Sequence, residues 1–284
     1  MSISGGRQAK VAMLGSRAVL RVGGSDARSW LQGLVTNDVE NIPAGEARFA
    51  ALLTPQGKIL ADFFVLGDGD GLLIDCAAES AGGLAKRLAM YKLRAPVTIS
   101  EVSGSLAVAA GWDGAPPPAA QGRVFDDPRG VGLGWRAIAP HAELEKLGAP
   151  VSEQDWHAHR IGCGAPQGGV DFPWGDTFPH EANMDRLNGI DFKKGCYVGQ
   201  EVVSRVQHRG LARKRITRVG IAGQTPAPGV EITAGEISIG VMGSSSGKAG
   251  LALIRLDKAE EARASGKAIM AGSAMLSVVS PPAT

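Results

Sequence analysis

Apolar residues recur along this chain with two different periods. Over 79–93, Leu84, Leu88 and Tyr91 share one face at helical spacing, which predicts the clearest helix. Trp30, Leu31 and Leu34 do the same over 26–35, behind a cap at Ser25 or Asp26. Short apolar runs at 18–22, 49–53, 59–66, 72–76 and 96–102 predict strands. Thr54-Pro55-Gln56-Gly57 and the GDGDG run at 67–71 turn the chain between them. Hairpin, strand, helix and strand in this order predict an α+β unit with helices on one side of a sheet. The proline run at 114–122 predicts a loop or linker. A short helix at 141–147, closed by Gly148, precedes a capping box at Ser152 to Asp155 that opens a helix to about Ile161. No period survives over 162–194, although aromatic residues persist, and an irregular stretch of that length points to function. Five glycine-separated runs (216–221, 230–233, 237–242, 249–256 and 274–279) predict a small antiparallel barrel. The expected domains are therefore 1–211 and 212–284.

Composition adds limits. The 284 residues are 44% hydrophobic and 20% charged, enough for a large core in two or three domains. A net charge of +2 argues against a nucleic-acid binder driven by bulk electrostatics. The first twenty residues lack a long apolar run and an A-x-A-like site, so no leader is expected, and no run approaches the roughly 20 apolar residues of a membrane span. Cys76, Cys163 and Cys196 lie far apart and form no CxxC pair. That spacing argues against a disulfide framework and predicts no stably bound metal. A reducing, cytoplasmic home is the expectation. Cys76 ends an apolar strand and Cys163 sits between glycines, so both are expected to be buried. His157 and His159 stand two apart on a helix and point to different sides, which argues against a joint metal site from that pair.

Candidate chemistry concentrates in KKGCYVGQE at 193–201. Lys193 and Lys194 beside Cys196 favour its thiolate if the thiol is exposed. Tyr197 offers a flat face with a polar tip, and Gln200 and Glu201 an amide and a carboxylate. A buried cysteine in a glycine-bounded turn fits the same residues. The basic run at 205–218 suits acidic partners, a polyglutamylated folate or RNA, but it lacks interleaved aromatic residues.

The stretch KGCYVGQE at 194–201 matches K-G-C-[FYW]-x-G-Q-E, the signature of the YgfZ family of folate-binding proteins in iron–sulfur cluster assembly and repair. DARSWLQGLVTNDV (26–39), YKLRAPVTI (91–99) and FPHEANMD (178–185) resemble further stretches of that family, and a weaker resemblance reaches the glycine cleavage T-protein, an aminomethyltransferase. The resemblance implies two interleaved, ferredoxin-like α+β units and a C-terminal β-barrel around a central cavity. It implies bound tetrahydrofolate, with Glu181 forked onto the pterin ring and Asp62, Arg160 and Arg94 as further folate contacts. Cys196, flanked by Lys194, Tyr197, Gln200 and Glu201, becomes a reactive thiol serving iron–sulfur client enzymes or assembly proteins. A T-protein-like hairpin acid is replaced by Ala61, which speaks against aminomethyl transfer and leaves that activity an alternative, as is a tRNA-associated module.

Overall fold

The computed structural model describes residues 8–43, 45–116, 122–130, 132–210 and 212–279. Leu211 and most of the expected linker at 114–122 lie outside the described residues. In chain order the elements are β1 (Lys10–Met13), β2 (Arg17–Gly23), α1 (Ala27–Gln32), β3 (Ala47–Leu53), β4 (Ile59–Asp68), β5 (Gly71–Ala77), α2 (Ala78–Lys92) and β6 (Thr98–Glu101). There follow β7 (Ala107–Trp112), β8 (Arg123–Asp126), β9 (Trp135–Ala139), α3 (His141–Leu144), β10 (Ala149–Val151), α4 (Glu153–Cys163) and α5 (Gln200–Arg209). The last elements are β11 (Lys214–Ala222), β12 (Glu231–Ala234), β13 (Ile237–Ser246), β14 (Ala249–Arg255), α6 (Leu256–Ala264), β15 (Ile269–Ala271) and β16 (Ala274–Val278). They divide between two units. One takes the chain up to Leu53, Ala61–Trp156 and Leu187–Val198; the other takes Thr54–Leu60, His157–Arg186 and the chain from Gly199.

The first unit is α+β, as expected. One five-stranded sheet has the order β3-β4-β5-β2-β6, the other β10-β1-β7-β9-β8. In the first sheet β5 is buried at every position, so its run GLLIDCA shows no alternation. Helix α2 lays Ala81, Leu84 and Leu88 against this sheet. The second sheet packs Val11, Ala109, Trp135 and Ala137 with Leu144 and Leu147.

A buried ionic network joins the two sheets. Asp75 on β5 is fully buried, and its carboxylate accepts Arg17 Nε at 2.6 Å and Arg136 Nη2, from β9, at 2.6 Å. Arg129 Nη2 reaches Asp127 Oδ2 at 2.7 Å, and Arg136 Nη1 stands 3.9 Å from the same oxygen. Asp62, buried on β4, adds a further attraction to Arg17. The ring of Phe64 meets all three cations, with centroid distances of 5.6 Å to Arg17, 4.9 Å to Arg129 and 4.3 Å to Arg136. Its π-face adds a cation–π attraction to the network.

Burial pushes the Asp127 carboxyl up, but the Arg129 and Arg136 charges and the Arg129 hydrogen bonds outweigh it and hold it below the usual range. The folded pKa is depressed, so this group's contribution is full above about pH 4 and is lost as pH falls through the folded value. Urea midpoints measured between pH 7 and 2 should therefore drop on the acid side. Asp127→Asn should lower the neutral midpoint and flatten that acid slope; an unchanged slope would contradict the assignment.

In the second unit, six strands in the order β11-β14-β13-β12-β15-β16 close into a barrel. Ile232, Ile239, Ile254 and Leu276 fill it, with Ala259 and Ala262 of α6 packed on the same core. Five of these strands coincide with the alternating runs; β15 is too short to show a period.

Candidate functional site

The motif begins in a loop, 194–199, that hydrogen bonds from Thr36 and Asn37 to residues 188–194 hold in place. Thr36 Oγ1 donates to Gly189 O at 2.6 Å and accepts the Ala51 amide at 2.9 Å. Asn37 Nδ2 donates to Asn188 O at 2.6 Å and to Phe49 O at 2.8 Å. Asp191 N donates to Thr36 O, and Asp191 Oδ1 accepts the amides of Lys193 and Lys194 at 2.7 and 3.2 Å. Two stretches some 150 residues apart in sequence thereby form one structure.

Lys194 completes it. Its ammonium donates to Gln32 O at 2.8 Å, Val35 O at 2.7 Å and Asn37 O at 2.7 Å. These carbonyls lie at and just beyond the C-terminus of α1, where acceptors lack intrahelical donors and a cation is favoured. Burial pushes the Lys194 pKa down to about 8, with Asp38, Asp191 and Glu40 opposing. Lys194 is thus spent on backbone carbonyls rather than on activating Cys196. Tyr197 is buried, 8% exposed, and its hydroxyl is pushed up to about 12 by burial, so it stays neutral and anchors the loop. Lys194 Nζ stands 5.4 Å from the Tyr197 ring centroid.

Cys196 between these two anchors is exposed. Cys196 is thus not a buried structural cysteine, whereas Cys76 is buried as expected, with its thiol pushed up to about 12 by desolvation. Cys163, expected to be buried, is exposed instead, because it ends α4 at the surface. Gly199 then takes φ 83° as the N-cap of α5, a left-handed conformation that suits glycine. Gln200 opens that helix, and Glu201, 84% exposed in its side chain, pairs with Arg205 one turn on. In the second unit the hairpin tip at 54–58 meets this helix: a Cβ on Gly57, φ 78°, would stand 2.9 Å from Val202 Cβ.

A cavity of about 670 Å³ lies beside the motif in the first unit, lined among others by Asn37, Arg48, Asp126, Asn188, Asp191 and Lys193. Its size falls within the range of small-molecule sites.

The expected folate contacts fare differently. Glu181 is half-buried, and Oε2 accepts the Phe178 amide at 2.8 Å. Asp62 is buried on β4, not a solvated strand carboxylate. Arg160 is 3% exposed and bonded to Asp171 at 2.8 Å, Ala165 O at 3.1 Å and Ser244 Oγ at 2.7 Å, which makes it a structural tie in the second unit rather than a tail-binding residue. Arg94 is exposed in the turn after α2. The basic run at 205–218 is partly spent internally. Arg215 makes a two-bond pair with Asp185 at 2.8 Å, and Arg218 donates to Gly162 O, leaving less free charge for RNA.

Comparison with known proteins decides the family. The mouse mitochondrial iron–sulfur cluster assembly factor IBA57 is 34% identical over 280 residues, covering 85% of this chain and 76% of that protein. The human protein of the same name is 33% identical over 281 residues, covering 86% and 77%. The chain belongs to the IBA57 family. A Mycosarcoma maydis IBA57 homolog is 35% identical over 240 residues, and the chain spans about three-fifths of its length (59%). Residues 213–284 match the CAF17 C-terminal β-barrel domain, a span that contains all six barrel strands. The aminomethyltransferase T of the glycine cleavage system from Bartonella henselae superimposes with a TM-score of 0.74 over 97% of this chain and 86% of that one, at 13% identity. The shared fold confirms the T-protein-like architecture. At the hairpin position Ala61 is buried and carries no acid. The cytoplasmic expectation does not stand, because these IBA57 relatives are named as mitochondrial.

Proposed function

We propose that the chain acts in iron–sulfur cluster assembly as an accessory protein that binds tetrahydrofolate and presents Cys196 to cluster-bearing partners. The observation that carries the reading is the exposure of Cys196 on a loop pinned on both sides by Lys194 and Tyr197. A single thiolate cannot complete the four-ligand set of a cluster, so the remaining ligands come from the partner and the cluster is cargo. Kinship with YgfZ-type proteins, read from the 194–201 motif, adds the folate. Glu181 suits a pterin: the Phe178 amide orients its carboxylate, and Oε1 plus the second lone pair of Oε2 remain for a fork onto adjacent N–H groups.

Two measurements test this. In a host lacking the gene, wild type should restore the activity of cluster-dependent enzymes under oxidative stress and Cys196→Ser should not; full restoration by Cys196→Ser would sink the thiol's role. In a tetrahydrofolate titration, Glu181→Ala should weaken binding about tenfold or more, as loss of a charge-assisted fork implies, while Cys196→Ser binds as wild type. Loss in Asp126→Ala with Glu181→Ala unaffected would move the folate to the 670 Å³ cavity. No binding by wild type would remove folate and leave the assembly role standing.

A further inference from the structure

Helix α4 ends in a Schellman motif. Ala165 N donates to Arg160 O at 2.9 Å, Gly164 N donates to Ile161 O at 3.0 Å, and Gly164 takes the left-handed φ of 78° that this motif requires. The backbone of Cys163 is therefore fixed at the helix end, one turn after His159. The two side chains meet, with Cys163 Sγ 3.8 Å from His159 Nε2, and the thiol is exposed. His157 is turned to other work, its Nδ1 accepting Arg160 Nε at 3.0 Å. The competent spacing is His159 to Cys163, four residues apart on one helix face.

We propose that His159 and Cys163 form a preorganised two-ligand site for a soft divalent cation of the zinc class, separate from Cys196. Zn–S of about 2.3 Å and Zn–N of about 2.0–2.1 Å at a tetrahedral angle set the two donors about 3.6 Å apart. The observed 3.8 Å needs only a small side-chain adjustment. Thiolate and imidazole together select zinc or copper(I) over magnesium or calcium. The position decides between metal binding and simple thiol reactivity. A helix C-terminus disfavours a bare thiolate and favours a cation, so the sulfur gains more from a bound metal than from ionising alone. Arg218 is the cation engaged at this helix end; its Nη1 donates to Gly162 O at 2.6 Å. Binding replaces the thiol proton: Cys163 S–H releases one H⁺ to solvent, its sulfur and the neutral His159 Nε2 each donate a lone pair, and water fills the open positions.

The test is titration of the reduced, metal-free full chain with Co²⁺ alone, followed by displacement with Zn²⁺. Wild type should develop one equivalent of thiolate-to-cobalt charge-transfer absorption. Cys163→Ser should lose it, His159→Gln should weaken it at least tenfold, and Cys196→Ser should keep it. His159→Gln leaves the thiol and the helix cap in place, so it decides the matter even if Cys163→Ser folds poorly. No absorption in wild type, equal absorption in Cys163→Ser or His159→Gln, or loss confined to Cys196→Ser would overturn the site.

Discussion

Asp75→Ala is expected to destabilise the first unit by about 3–5 kcal/mol, the range for breaking one side of a buried ion pair. Asp75 is fully buried and accepts hydrogen bonds from two guanidiniums, Arg17 and Arg136, the latter 2% exposed in its side chain. Removing the carboxylate leaves both cations in place, since arginine does not lose its proton in proteins. Asp62 still acts on Arg17, but Arg136 then keeps only its 3.9 Å approach to Asp127, so its charge is poorly compensated. Phe64 adds only a cation–π attraction. The check is the urea midpoint with its slope. A fall in midpoint at constant slope fits the prediction, and a loss below about 1 kcal/mol would mean that water or a shifted side chain replaces Asp75 at little cost.

Lys194→Met is the second large effect. Methionine keeps the length and apolar stem of lysine, so lost packing contributes little. What disappears is one charged donor shared by three carbonyls, those of Gln32, Val35 and Asn37. Leaving such acceptors without their charged donor is expected to cost about 2–4 kcal/mol. The loop loosens with the same change, so amide exchange at 188–198 should accelerate while that of the barrel does not. Unchanged exchange there would show that Tyr197 and Asp191 hold the loop without the lysine. In the host assay Lys194→Met should then resemble Cys196→Ser in part, because the thiol would be present but no longer held in place.

Both predictions rest on partners that a sequence does not show. The acceptors of Lys194 are backbone carbonyls 157 to 162 residues away, and a carbonyl carries no residue signature. Two adjacent lysines next to a cysteine suggest electrostatic activation, yet the fold uses Lys194 as a clasp. The barrel was legible because glycine-rich turns separate its longer strands and β11 alternates over Arg218 to Ala222, with Val219 and Ile221 buried. Helix α5 was not, because its apolar face is only Val202, Val203 and Val206, of which Val203 alone is buried. Strands β7 and β9, AVAAGW and WRAIA, hide behind alanine, a helix former; contacts within the second sheet override that preference. The Ser152 and Asp155 box is where local chemistry sufficed: Asp155 Oδ2 accepts the Ser152 amide at 2.9 Å, and Ser152 Oγ accepts that of Asp155 at 3.2 Å.

The division of the chain has a consequence for its synthesis. The second unit draws on Thr54–Leu60 and His157–Arg186 as well as the chain from Gly199. A ribosome adding about 5–20 residues per second releases the hairpin tip many seconds before the barrel exists to receive it. No single cut yields the second unit as one contiguous fragment. Long-range closure of this kind slows folding and lengthens the time for which unfinished apolar surface stays exposed. A nascent chain halted before β11 should therefore be a substrate for chaperones, even with every residue of the Cys196 loop already made.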